Sequence, residues 1–270
     1  MDQSFWNIII LIIAGGLGGF MAGLLGVGGG LIFVPILDYF LIKKGVSSHD
    51  LVAYTLANSF LAILVSGSVG SWAAFKSKSI NITHLFVVGI SAVFSILITS
   101  WLINTGTWYS PTVFKIFFCI LLLLTLIKTM LHIEHDGTSY KMNMGLGLFT
   151  GLLTGAVSGL SGLGGGLVMV PLFTMLGKMN MRKAATLSLA IIPILALPNV
   201  IYYMVHQPMQ KIADSTGHIV WPIVIPVIIG VLITVNAGVN AANSMSPKTI
   251  KYIFAAFIII TITRIFMSLQ

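Results

Sequence analysis

Residues 23–35 read GLLGVGGGLIFVP, and residues 159–171 read GLSGLGGGLVMVP. Working outward, Gly15, Gly19, Gly23, Gly26, Gly28, Gly29, Gly30 and Pro35 recur 136 residues later as Gly151, Gly155, Gly159, Gly162, Gly164, Gly165, Gly166 and Pro171. The same offset relates Ser110-Pro111 and Lys115 to Ser246-Pro247 and Lys251. Chance similarity of two apolar segments does not hold one spacing across glycines and distant prolines. The chain therefore reads as two copies of one half, residues 1–136 and 137–270, joined into one unit. Such internal repeats are characteristic of secondary transporters. Between the matched ends, Ala53 to Ala57 faces Ala184 to Ser188 at an offset of 131, which implies a short insertion or deletion.

Only 7% of the 270 residues are Asp, Glu, Lys or Arg, and 57% are hydrophobic. A soluble domain carries about 25% charged residues, so lipid must cover this surface. Apolar runs long enough to cross about 30 Å of hydrocarbon as helices recur from end to end, without the polar–apolar alternation of barrel strands. The expected fold is an all-α polytopic membrane protein of about eight transmembrane helices. Each half supplies four elements, near 5–42, 50–73, 82–104 and 111–131, then 143–177, 184–206, 219–241 and 247–267. The first element of each half is too long for one straight span, so it breaks at its glycine cluster. One tilted crossing, a crossing with a re-entrant arm, or two crossings all fit that break.

The formal charge of +8 comes from scattered linker residues such as Lys43, Lys44, Lys178, Arg182 and Lys183. That pattern matches cytoplasmic loops and lacks the basic stripe of a nucleic-acid binder. If both basic linkers face the cytoplasm, each half crosses an even number of times and the copies run parallel. The start, Met1 to Trp6, has no basic region ahead of its apolar run, so the first helix is expected to be retained. Cys119 excludes an intrachain disulfide, and Trp72, Trp101, Trp108 and Trp221 sit where interface anchors belong.

Three consecutive glycines cost about 1 kcal/mol each in a helix interior, so Gly28, Gly29, Gly30 and Gly164, Gly165, Gly166 read as unwound functional segments. Backbone N–H groups there, followed by a helix start, can cradle an anion. The strip Gly15, Gly19, Gly23 and its copy instead suit close helix packing. Neither cluster is a nucleotide loop, because Leu31-Ile32 and Leu167-Val168 stand where Lys-Ser/Thr would be needed. Thr55 and Asn58, with Thr186 and Ser188 in the second half, are the polar candidates to bind solute; interhelical hydrogen bonding is their structural alternative. Leu189 opposite Asn58 makes the polar set asymmetric. Pro193 and Pro198 are expected to break or bend their helix, and Asn236, Asn240 and Asn243 form one polar stripe.

No acidic or basic residue stands at the centre of a predicted span, which disfavours an intramembrane carboxylate relay. His84 and His218 begin similarly placed helices and are candidates for proton coupling. His132 and His135 beside Glu134 and Asp136 read as a solvated linker and not a metal site, so neither metal nor cofactor is expected. The spans present no nucleophile–base pair, and an enzyme is not expected.

The paired GxxxGxxxGxxGxGGGxxxxP patterns at Gly15–Pro35 and Gly151–Pro171 resemble those of the sulfite exporter TauE/SafE family of membrane permeases, over nearly the whole chain. The resemblance implies a prokaryotic inner-membrane protein that moves a small anion outward, sulfite or a related sulfur-containing or organic anion. Alternating access is the expected mechanism; an uptake carrier or a channel for another small solute is the competing reading. Membrane lipid, a proton or counter-ion and a second copy of the chain complete the partners this reading admits, and nucleic acid is not one of them.

Overall fold

The computed structural model describes residues 3–75, 82–105 and 143–267, with a few helical residues between 119 and 130. The expected fourth element of the first half, 111–131, is described only at those few residues, and the linker carrying His132 to Asp136 lies outside the described residues. The order is α1 (Gln3–Leu25), α2 (Gly30–Lys43), α3 (Leu51–Phe75), α4 (Ile82–Thr105), α5 (Met144–Ser161), α6 (Gly166–Met175), α7 (Met181–Val205), α8 (Trp221–Ser244) and α9 (Pro247–Met267). A two-residue hairpin, β1 (Ser215–Thr216) with β2 (Ile219–Val220), precedes α8.

Local chemistry sets these boundaries. Asn143 and Asn180 cap α5 and α7, each side-chain oxygen accepting a backbone N–H at 2.8 Å. The broken elements separate into α1 and α2, and α5 and α6, at glycines in the left-handed region. Gly28 and Gly29 have φ of 79°, and Gly164 and Gly165 have 74° and 75°. A side chain in that conformation costs about 1–2 kcal/mol, which explains why both breaks consist of glycine.

Among the described residues, six helices are long and apolar enough to cross a membrane: those covering Phe5–Leu25, Leu51–Trp72, Ile82–Leu102, Met144–Ser161, Met181–Val205 and Trp221–Ser244. The molecule is a multi-pass membrane protein. Large apolar side chains such as Ile13, Leu17, Ile90, Phe94, Phe149 and Ile233 point outward, as a lipid-facing surface requires. Trp72 and Trp101 are exposed near helix ends.

Helix packing is crossed between the halves. The glycine strip of α1 lies along α8: a methyl on Gly19 would sit 2.8 Å from the Val231 Cα, and Gly15 and Gly23 likewise abut the Val227 and Val235 carbonyls. The strip of α5 lies along α4 in the same way, with Gly155 against Ala92 and Ser95 and Gly159 against Thr99 and Ile96. Both pairs run parallel, since later residues meet later residues. Side-chain hydrogen bonds repeat the pattern: Thr234 Oγ1 donates to the Gly16 carbonyl at 2.6 Å, and Ser95 Oγ to the Leu152 carbonyl at 2.7 Å. The packing role expected of these strips is the role they have.

The second helices, α3 and α7, run antiparallel. Gly67 of α3 packs on Ile192 and Pro193, whereas Gly70, further along, packs on the earlier Leu189. Parallel copies would set these two helices pointing the same way, so that expectation is corrected. It rested on a handful of linker lysines and arginines, which report only a preferred side, whereas close packing of Gly67 and Gly70 is direct. The contacts also correct the alignment of α3 with α7. Ser59 and Ser188, Leu56 and Ala185, and Ile63 and Ile192 make matching contacts, an offset of 129 and not 131. Finally, α7 continues through Pro193 and Pro198 as one helix, so neither proline breaks it.

Candidate functional site: the crossing of two glycine breaks

The two breaks meet, and they meet head to tail. A methyl on Gly30 would lie 2.7 Å from the Gly162 carbonyl oxygen and from the Leu163 Cα. One on Gly166 would strike the Gly26 carbonyl and the Val27 Cα, the corresponding atoms of the other half. Between them, a methyl on Gly28 would be 3.8 Å from the Gly164 Cα and 3.3 Å from both Ile63 and Ile192. Glycine is required twice over here, for positive φ and for the close approach of two backbones.

Serines of the antiparallel pair fix the crossing. Ser59 Oγ donates to the Gly162 carbonyl and Ser188 Oγ to the Gly26 carbonyl, both at 2.8 Å. Ser66 Oγ donates to the Gly28 carbonyl at 3.0 Å. All three serines are fully buried. The glycines that lead into α2 and α6 meet at Gly28 and Gly164, and a helix start carries leading N–H groups that no helical bond satisfies and the positive end of the dipole. The crossing is closed in this conformation: each break fills the space against the other.

The remaining sequence candidates divide. Thr55 Oγ1 donates to Asp38 Oδ1 of α2 at 3.0 Å, and Asp38 is a partly buried carboxylate that the sequence reading did not single out. Asn58 is fully buried and engaged on three sides. Its Nδ2 donates to the Tyr54 and His218 carbonyls, and its Oδ1 accepts from Val220 N at 2.9 Å. Thr186 Oγ1 donates to the Arg182 carbonyl one turn back. The Asn236, Asn240 and Asn243 stripe faces outward among the described residues, on the side of α8 away from α1.

Asn58 belongs to a latch that the sequence did not announce. The segment between α7 and α8 folds back over the start of α3, where Gln210 N donates to Asp50 Oδ2 at 2.7 Å and Tyr54 Oη donates to the Gln210 carbonyl. Gln210 Oε1 accepts from Ser47 N, and its Nε2 donates to the Gly45 carbonyl. His218, buried, stacks edge-on with Tyr54 and Tyr203. Burial pushes the His218 imidazole below its usual range, against smaller opposing effects of the Tyr203 carbonyl and Asp50. The signal for this latch is faint in sequence, because its partners stand about 160 residues apart.

Residues 11–265 match the sequence profile described as sulfite exporter TauE/SafE. The chain belongs to that family. As a TauE/SafE member it is also similar to a probable membrane transporter protein of Haemophilus influenzae, 29% identical over 98% of this chain and 100% of the relative. A probable membrane transporter protein of Methanocaldococcus jannaschii is 29% identical over 72% of both chains. One of Bacillus subtilis is 21% identical over 80% of this chain and 81% of the relative. The family and these relatives make the chain a membrane transporter, and the paired breaks that define the TauE/SafE resemblance are the segments that cross at its centre.

Proposed function

We propose that the protein exports a small anion, sulfite or a related sulfur-containing or organic anion, by alternating access of two inverted copies of one half, residues 1–136 and 137–270. The observation that carries this reading is the reciprocal contact of the two glycine breaks. Inverted copies meeting at discontinuous helices are an arrangement through which transporters exchange one set of contacts for its mirror set. Parting the breaks frees the backbone N–H groups of Gly28, Gly29, Gly30 and of Gly164, Gly165, Gly166 toward an anion, with two helix starts behind them. Ser188 and its counterpart Ser59 hold the closed state. Thr55, paired with Asp38, and Asn58, in the latch, lie in the first turns of α3, and Thr186 lies in the first turns of α7.

Energetics favour the outward direction. A membrane potential negative inside drives one negative charge out by about 2.3 kcal/mol per 100 mV, so export needs no ATPase. Neutral donors hold the ion loosely enough for release, unlike a buried arginine.

Purified protein in liposomes, loaded in turn with sulfite, sulfate, thiosulfate, sulfoacetate and small carboxylates, tests the reading. Saturable efflux of sulfite or another small anion, changed in rate by an imposed potential, is the expected result. Movement of only cations or neutral solutes overturns the anion reading, and unsaturable flux near diffusion rates overturns the carrier.

A further inference from the structure

The crossing does not use every buried polar group, and those left over are concentrated on one helix. Thr150, Thr154 and Ser158 of α5 are fully buried, and none of their hydroxyls has a hydrogen-bond partner. They stand four residues apart, on one face of the helix. That face is distinct from the Gly151, Gly155, Gly159 strip that packs on α4. The Thr154 methyl lies against Gly165 of the second break, where Leu195 of α7 also approaches. One turn beyond Leu195, Asn199 is fully buried as well. Its Oδ1 accepts from Ser100 Oγ of α4 at 2.8 Å, and its Nδ2 has no partner. Four buried donors without partners, three hydroxyls and one amide nitrogen, thus lie on α5 and α7, two helices that approach Gly165 of the second break.

Unpaired buried donors are rare in folded proteins and costly, about 1–3 kcal/mol each. A group of four on one side of a membrane bundle calls for something that pairs with them. The other half makes the point sharper. The 136-residue offset sets Ala14, Gly18 and Ala22 opposite Thr150, Thr154 and Ser158, and there the Phe33 ring fills the space against Gly18. One half is sealed by hydrocarbon; its counterpart presents hydroxyls and an amide.

We propose that Thr150, Thr154, Ser158 and Asn199 form a binding file for a small oxyanion along α5, leading to the second glycine break. This inference rests on the anion reading above. Each hydroxyl and the Asn199 amide donates to an acceptor-only ligand, without a fixed positive charge to trap it. Spacing by four residues, about 6 Å along the helix, lets an ion pass from one donor to the next. The ligand class is a compact anion with several acceptor oxygens, such as sulfite.

The test is sulfite efflux from liposomes by the wild-type protein, by a Thr154→Val, Ser158→Ala double variant and by Thr154→Ser, with thermal stability of each measured in parallel. Removing unpaired buried hydroxyls relieves a desolvation cost. The double variant should therefore insert normally and melt no lower than wild type, while its KM for sulfite rises at least tenfold. Thr154→Ser keeps the hydroxyl and should stay within threefold of wild type. Wild-type sulfite efflux with an unchanged KM in the double variant overturns the file and leaves the anion reading standing. No efflux of any small anion by the wild-type protein overturns both. Loss of stability together with unchanged KM assigns the hydroxyls to structure and likewise overturns the file.

Discussion

The two glycine-broken segments share their backbone and differ in what surrounds it. At the first, α1 brings Ala14, Gly18 and Ala22 to the interior, and Phe33 closes on Gly18. At the second, α5 brings Thr150, Thr154 and Ser158, and Met169 stands where Phe33 stands in the other half. The backbone contacts of the crossing are symmetrical, whereas the side chains make one side a packed wall and the other a polar one. On the reading proposed above, the shared contact geometry is what the two halves move about, and the difference in side chains is where solute selectivity would arise.

The largest effect expected of any single change on this contrast is at the wall. Phe33→Ala empties a fully buried aromatic site and should cost about 3–5 kcal/mol, read as a lowered thermal midpoint in detergent. A midpoint within experimental scatter of wild type would mean that Phe33 is not the seal. Next come the paired serines. Ser59→Ala and Ser188→Ala each leave one break carbonyl without its donor, at about 1–3 kcal/mol. Because the two sites are equivalent, the losses should agree closely; a difference as large as either loss would break the symmetry argued for the crossing.

The smallest effect concerns the latch, which has no described counterpart in the first half because residues 76–81 lie outside the described region. Burial lowers the His218 pKa in the folded protein, below the unfolded value of about 6.5. The unfolded or released segment then binds more protons, and the contribution of His218 is present above pH about 6.5 and lost as pH falls through the folded value. Amide exchange across residues 206–220 should accelerate on acidification below that pH, and His218→Gln should flatten the dependence. Exchange that is insensitive to pH after correction for the intrinsic rate would remove His218 from the latch.

Much of this was legible in the sequence, for reasons that also explain what was not. Glycine is irreplaceable where φ is positive and backbones touch, so the breaks at Gly28 and Gly164 stood out and proved to be the centre of the fold. Orientation was not legible, because Lys43 and Arg182 report a side of the membrane only statistically. The register of α3 against α7 slipped by two residues because Ala, Leu, Thr and Ser recur there with little texture. Asn58 reads in the sequence as a candidate solute ligand, but its partners His218 and Val220 are not legible there, because a distant loop supplies them. Thr150, Thr154 and Ser158 carried a readable signal, hydroxyls four residues apart beside a glycine strip, yet their lack of partners is a property of the folded bundle.

Cross-linking the antiparallel helices at the crossing tests the account most directly. In a Cys119→Ser background, Gly67→Cys and Ile192→Cys place two thiols across the contact, where a Cβ on residue 67 would lie 3.2 Å from the Ile192 Cβ, close to the roughly 3.5–4.5 Å of a disulfide. The account predicts that oxidation forms the disulfide within one chain, stops sulfite efflux from liposomes, and that reduction restores it. Efflux that continues at the reduced rate after complete cross-linking, or thiols that never join, would contradict it.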